Sequence, residues 1–202
     1  MPHVINIGND EQRLVKRLQR GDKSAAREFY ARYADRLAGI CSRYITNEED
    51  LKDVFQNALV NIFSHISDFK YRGEGSLQAW AAKVVVNESL MFLKKKRYEE
   101  FPSDYEVPDV TDEDLFSRND ISPDVIQQML SRLPERCRTV LNLYVFEGKS
   151  HQEIAHLLGI KKDSSASQLH NARKMLTEMI RKYKKDNHSR RLTNNGFNSY
   201  DR

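Results

Sequence analysis

Apolar residues recur every three or four positions along most of the chain, the period of helices with one face turned inward. Leu14, Val15 and Leu18 predict a short helix over 10–20, ended by Gly21. Asp22 is placed to cap a long helix to about Tyr44, with Ala25, Phe29, Tyr33, Leu37, Ile40 and Cys41 on one side. Thr46 and Glu49 have capping-box spacing for a helix to about Ile66 that buries Leu51, Val54, Phe55, Ala58, Leu59, Ile62 and Phe63. The stretch YRGEGS, Tyr71 to Ser76, holds two glycines and reads as a loop. Ser76 then caps a helix carrying Leu77, Trp80, Ala81, Val84, Val85, Leu90 and Leu93, which finishes in Lys94, Lys95, Lys96 and Arg97.

From residue 98 to 121 the periodicity lapses and two prolines appear, as in a linker. Ser122 and Pro123 supply an N-cap and a first-turn proline for a helix through Leu133. Pro134 starts another, with Val140, Leu141, Leu143, Tyr144 and Phe146 as its core face and Gly148 as its stop. Ser150 and Glu153 form a capping box, Ile154, Leu157 and Leu158 follow at helical spacing, and Gly159 supplies a left-handed end. A second run then opens, with Ser165, Leu169, Ala172, Met175, Leu176, Met179 and Ile180 along one side. Two short helices across a glycine turn suit a helix-turn-helix, although an ordinary helical hairpin shares the pattern. The fold class is therefore all-α: an N-terminal helical domain over 1–97, an acidic linker over 98–121, and a four-helix domain over 122–185. The tail over 186–202 is expected to be disordered.

Charge sharpens this division. The net charge of the 202 residues is only +4, but from Glu99 to Asp120 nine acidic residues face one Arg, whereas from Lys161 to Arg191 ten basic residues face three acidic ones. A basic module beside an acidic connector points to phosphates as the partner of the second domain. Cys41 and Cys137 are too few and too far apart for a disulfide framework or zinc site, which favours a reduced, cytoplasmic setting. No apolar run reaches membrane-span length and the N-terminus lacks a signal peptide's features, so neither membrane insertion nor export is expected.

Three polar surfaces are the candidates for function. The helix over 48–66 carries Asp50, Asp53, Gln56, Asn57 and Asn61 opposite its apolar side, where simple solvation is the plainer account. The basic run from Lys94 to Arg97 complements a helix C-terminus, but four cations exceed what capping requires. An aromatic, polar loop followed by such a helix also fits a site where unpaired bases stack and phosphates are held. In the helix-turn-helix the outward residues are Ala166, Ser167, His170, Asn171 and Lys174, short or polar groups able to reach base edges and phosphates. No metal-ligand spacing, glycine-rich phosphate loop or nucleophile with a nearby base occurs, so neither cofactor nor enzymatic chemistry is expected. His65, His151 and His156 read as surface or capping groups.

In order and spacing, four stretches resemble the extracytoplasmic-function (ECF) group of bacterial RNA polymerase sigma factors over 10–185: EEDLKDVFQNALVNIF, YRGEGSLQAWAAKVVVNESLMFLKKKR, LSRLPERCRTVLNLYVFEGKSHQEIAHLLGI and SQLHNARKML. The resemblance implies core RNA polymerase and promoter DNA as partners, and commonly an anti-sigma factor. It implies that Asp50, Asp53, Gln56 and Asn57 dock on the polymerase clamp helices, with Asn57 departing from the usual Glu. Tyr71, Arg72, Lys83, Asn87, Lys94, Lys95, Lys96 and Arg97 would then open the minus-ten element, Tyr71 and Asn87 lining a pocket for a flipped base, while Trp80 belongs to the core. Ala166, Ser167, His170 and Asn171 would read the minus-thirty-five bases, with Arg173 and Lys174 on phosphates. Ser165 stands where the family usually has Val or Ile, and Gln168 and Asn171 where Arg is frequent. The linker would follow the polymerase's basic path for RNA.

Two other classes share parts of the pattern. A stand-alone helix-turn-helix regulator leaves the 50–57 face and the Lys94 to Arg97 run unexplained. A recombinase would need a catalytic Ser or Tyr among clustered arginines, whereas Arg13, Arg17, Arg20 and Arg27 lie along solvated faces.

Overall fold

Eight α-helices and one 3-10 turn make up the regular structure in the computed structural model, which describes residues 7–99 and 121–195, with side chains over 10–96 and 121–187. In order they are α1 (Ile7–Gln19), α2 (Lys23–Ser42), α3 (Glu48–His65), the 3-10 turn Ile66–Asp68, α4 (Ser76–Glu99), α5 (Pro123–Ser131), α6 (Glu135–Val145), α7 (His151–Leu158) and α8 (Lys162–Asn195). The chain divides into two units, Met1–Pro102 and Ser103–Arg202. Residues 100–120, most of the acidic stretch, lie outside the described residues, and α4 continues through Glu99.

In the first unit α3 and α2 both pack on α4, and α1 lies on α2. Phe29, Leu37, Tyr44, Ile62, Leu77 and Val85 are buried at its centre, each such apolar side chain contributing roughly 1.5–3 kcal/mol of transfer free energy. Phe29 meets Tyr33 at 5.1 Å and Phe63 edge-on at 5.5 Å between ring centroids. Leu51, Phe55, Leu59, Phe63 and Ile40, expected inside, are only half-buried, whereas Tyr44 and Ile45 beyond the end of α2 turn fully inward. Asp22 caps α2 as expected, accepting the Ser24 N–H at 2.8 Å. The cap of α3 is Asn47 rather than Thr46, because Asn47 Oδ1 lies 3.0 Å from both the Glu49 and Asp50 N–H groups. That one-residue shift brings Glu48, Glu49 and Asp50 into the first turn, where the helix dipole favours anions.

Helix α1 is tied to residues far along the chain. Gln19 Nε2 donates to the Ile66 carbonyl at 3.1 Å and the Phe69 carbonyl at 2.8 Å. Glu11, only 5% exposed, accepts the N–H groups of Gly75 and Leu77, each at 3.1 Å, and the Tyr33 hydroxyl at 3.3 Å. The start of α4 thus has its capping carboxylate on another helix, while Ser76 donates its hydroxyl to the Gly73 carbonyl at 2.6 Å.

In the second unit α6 and α7 pack on α8, burying Val140, Leu143, Ile154, Leu169, Ala172, Leu176 and Ile180. Arg138 is also buried, its guanidinium donating to the Leu133 carbonyl at 2.8 Å and the Ser131 carbonyl at 3.3 Å, so it closes the end of α5. Burial lowers its pKa. Tyr144 and Phe146, expected in the core, are exposed, because α6 is covered on all sides from Cys137 to Leu143 and these two follow that stretch. Ser122 occupies the N-cap of α5 with extended backbone but no side-chain bond, and Pro123 takes the first turn. Helix α8 does not stop near Lys185: it runs to Asn195, and residues 196–202 lie outside the described residues.

Candidate nucleic-acid interface

The exposed side of α3 presents Asp53, Gln56 and Asn57 at spacings of three and one, and Val60, 59% exposed, continues the stripe. Asp50 is half-buried and pairs with Lys96 Nζ at 3.3 Å, so a residue expected to face polymerase holds one expected to face phosphate. Such a pair near the surface is worth about 1 kcal/mol or less. The Lys96 ammonium also lies 5.9 Å from the Phe92 ring centroid. Asn61 turns from the polar side to donate to Glu88 at 2.7 Å, joining α3 to α4.

The loop before α4 is shaped by its backbone. Gly75 has φ +82, a left-handed conformation costing other residues roughly 1–2 kcal/mol. The Arg72 N–H donates to Ser76 Oγ at 3.2 Å, so this hydroxyl ties both sides of the turn. Tyr71 is half-buried and its phenol pKa is raised, first by desolvation and then by the charges of Glu11 and Glu74, so it stays a neutral donor. Arg72 is exposed. Trp80 is half-buried against Phe69, with ring centroids 5.1 Å apart. Along α4, Lys83, Asn87, Lys94 and Lys95 are all exposed, with Met91, 63% exposed, between them. The row from Lys83 to Lys94 extends about 16 Å at 1.5 Å per residue and begins near the loop. The backbone of Arg97 lies within α4; its side chain is outside the described residues.

The helix-turn-helix has the predicted local geometry. Ser150 Oγ accepts the Glu153 N–H at 3.3 Å, while the Glu153 carboxylate accepts the Ser150 N–H at 2.9 Å, completing the capping box. The Ser150 N–H, the Ser150 hydroxyl at 2.9 Å and Lys149 at 3.2 Å all donate to the Glu153 carboxylate and hold its pKa at about 2. Gly159 ends α7 at φ +64 and α8 follows three residues later. Ala166, Ser167 and His170 are exposed, Asn171 and Arg173 half-buried. Lys174 departs from expectation: at 9% exposed it is buried rather than outward, which a lysine tolerates because its four methylenes are apolar. The open part of this face therefore lies within the first three turns of α8, the N-terminal part by which a recognition helix contacts bases.

Behind that face is a cluster that spacing does not reveal. Tyr144 stacks on His151 at 4.9 Å between ring centroids, and the Arg173 guanidinium lies 5.7 Å from the Tyr144 ring centroid. His151 Nδ1 is 3.0 Å from Ser165 Oγ, and Ser165 is fully buried. The polar residue at a position where an apolar one is usual thus has a partner across the turn.

Comparison with known proteins agrees with this layout. The family described as Sigma-70 region 2 matches residues 29–98 and that described as Sigma-70, region 4 matches 124–176, together more than half of the chain. The RNA polymerase sigma-H factor of Pseudomonas aeruginosa is 25% identical, covering 84% of this chain and 93% of its own. The ECF RNA polymerase sigma-E factor of Haemophilus influenzae is 26% identical, covering 84% and 95%. The solved structure of CnrH in complex with the cytosolic domain of CnrY shares 21% identity and a TM-score of 0.42, over 83% of this chain and 94% of that one. With region 2 on the first helical unit and region 4 on the helix-turn-helix, the chain belongs to the ECF group of RNA polymerase sigma factors.

Proposed function

We propose a division of work between the two units of this sigma factor, whose family directs promoter-specific transcription initiation with core RNA polymerase. In the first, Asp53, Gln56 and Asn57 dock on the clamp helices, with Asp50 at the end of the stripe; Asn57 makes a neutral hydrogen bond where a Glu would make a charge-assisted one. The Tyr71 to Ser76 loop captures an unstacked minus-ten base with Tyr71 and Asn87, while Arg72, Lys83, Lys94, Lys95, Lys96 and Arg97 hold the strand's phosphates. In the second unit Ala166, Ser167, His170 and Asn171 read the minus-thirty-five duplex and Arg173 contacts its backbone.

The observation that carries this reading is the exposed row Lys83, Asn87, Lys94 and Lys95 running from the loop along α4. A stand-alone duplex reader has no use for such a row on its other unit. The chain supplies binding and orientation, and bond formation belongs to the polymerase. No helix among the described residues is long and apolar enough to cross a membrane; work on promoter DNA places this factor in the cytoplasm, where an anti-sigma factor covering the same surfaces is the expected inhibitor.

The test is a pull-down of core bacterial RNA polymerase, followed by transcription from a promoter library. Binding with promoter-dependent transcripts is expected, and Asn87→Ala is expected to lower open-complex formation about tenfold while leaving duplex affinity unchanged. Equal losses in both assays would remove the base pocket. Duplex affinity without polymerase binding would favour the stand-alone regulator.

A further inference from the structure

Helix α1 carries no residue assigned to DNA or polymerase, yet it grips the Tyr71 to Ser76 loop on both flanks. Gln19 holds the Ile66 and Phe69 carbonyls on the entering side, and Glu11 holds the Gly75 and Leu77 N–H groups on the leaving side. Among the described residues, two backbone N–H groups and a phenol donate to Glu11, and these three donors carry no charge. A carboxylate only 5% exposed is costly to bury, and here the positive end of α4 offsets that cost. The same contacts hold the backbone on each side of Ser76, the residue whose hydroxyl closes the turn. A loop held this way has lost most of its conformational freedom before any base arrives.

We propose that Glu11, from outside the DNA-contacting surface, is a positioning residue for promoter melting: it presets the Tyr71 to Ser76 loop so that capture of an unstacked base does not have to include ordering the loop. This rests on the loop being the minus-ten contact. Tyr33 takes part by donating to the same carboxylate, and Gln19 secures the opposite flank.

The experiment uses holoenzyme assembled from core polymerase and the full chain. Its probes are a single-stranded minus-ten oligonucleotide and a minus-thirty-five duplex from a promoter recovered in the library. Glu11→Gln keeps the size but sets an amide NH2 against one of the two backbone donors. Its single-strand affinity is expected to fall on the order of tenfold, with duplex and core-polymerase affinities within about twofold of the parent. Equal loss of polymerase affinity would mark a general loosening of the unit and overturn the positioning role. Full single-strand affinity in Glu11→Gln, with Tyr71→Ala impaired, overturns it while leaving the loop's own role intact. Full affinity in Glu11→Gln, Tyr71→Ala and Asn87→Ala alike defeats the loop's role and this inference with it. Should Glu11→Gln fail to fold, Tyr33→Phe decides: a loss of about threefold on the single strand alone supports the role, and no loss rejects it.

Discussion

At the scale of single residues, the best-defined group is Glu153. Three hydrogen bonds hold its carboxyl at about 2 against an ordinary 4.5. A folded-state pKa below the unfolded one stabilises above the unfolded value and is lost as pH falls through the folded value. The contribution of Glu153 is therefore complete above about pH 4.5 and disappears toward about pH 2. Glu153→Gln keeps a hydrogen-bonding side chain but not its titration. Thermal midpoints followed from about pH 6 to about pH 3 should fall less steeply in this variant than in the parent. Parallel curves would mean that the cap is not coupled to pH. Asp22, at the start of α2, is shifted the same way by Ser24 and Arg17, so the first unit carries an acid-sensitive cap of its own.

At the scale of elements, α4 combines two roles along one length. Its inward side, with Leu77, Ala81, Val85 and Leu93, is core, and its outward side offers Lys83, Asn87, Lys94 and Lys95. Each lysine that neutralises a phosphate releases counterions, about 0.7 of a unit in the salt slope on a single strand. Lys94→Ala with Lys95→Ala should reduce the slope of log affinity against log salt by about 1.4 on a minus-ten single strand and leave the slope on minus-thirty-five duplex unchanged. An unchanged slope on both probes would show that these lysines serve only the end of the helix. A phosphate that takes Lys96 competes with Asp50, which pairs with it at 3.3 Å.

At the scale of the whole molecule, what could be read from the sequence is what is local. The Ser150 and Glu153 box, the Gly159 stop, the Asp22 cap and the apolar faces of α2, α4 and α8 depend on residues within a turn or two, so spacing alone displays them. The cap of α3 lies one residue beyond Thr46, because Thr46 and Asn47 are both good cap formers and only the geometry chooses between them. Arg138 closing α5, Ser165 meeting His151 and Lys174 being covered depend on neighbours brought in by packing, which no periodicity records. The same holds at the candidate site. The residues of its surface were visible as a polar and basic pattern, but its support was not, since Glu11 and Leu77 are 66 positions apart. That separation bears on how the protein is made. At about 5–20 residues per second, roughly 3–13 s of synthesis divide Glu11 from Leu77. Until then the carboxylate has water in place of its backbone donors, so α1 is made well before the contacts that fasten it to the start of α4 can form.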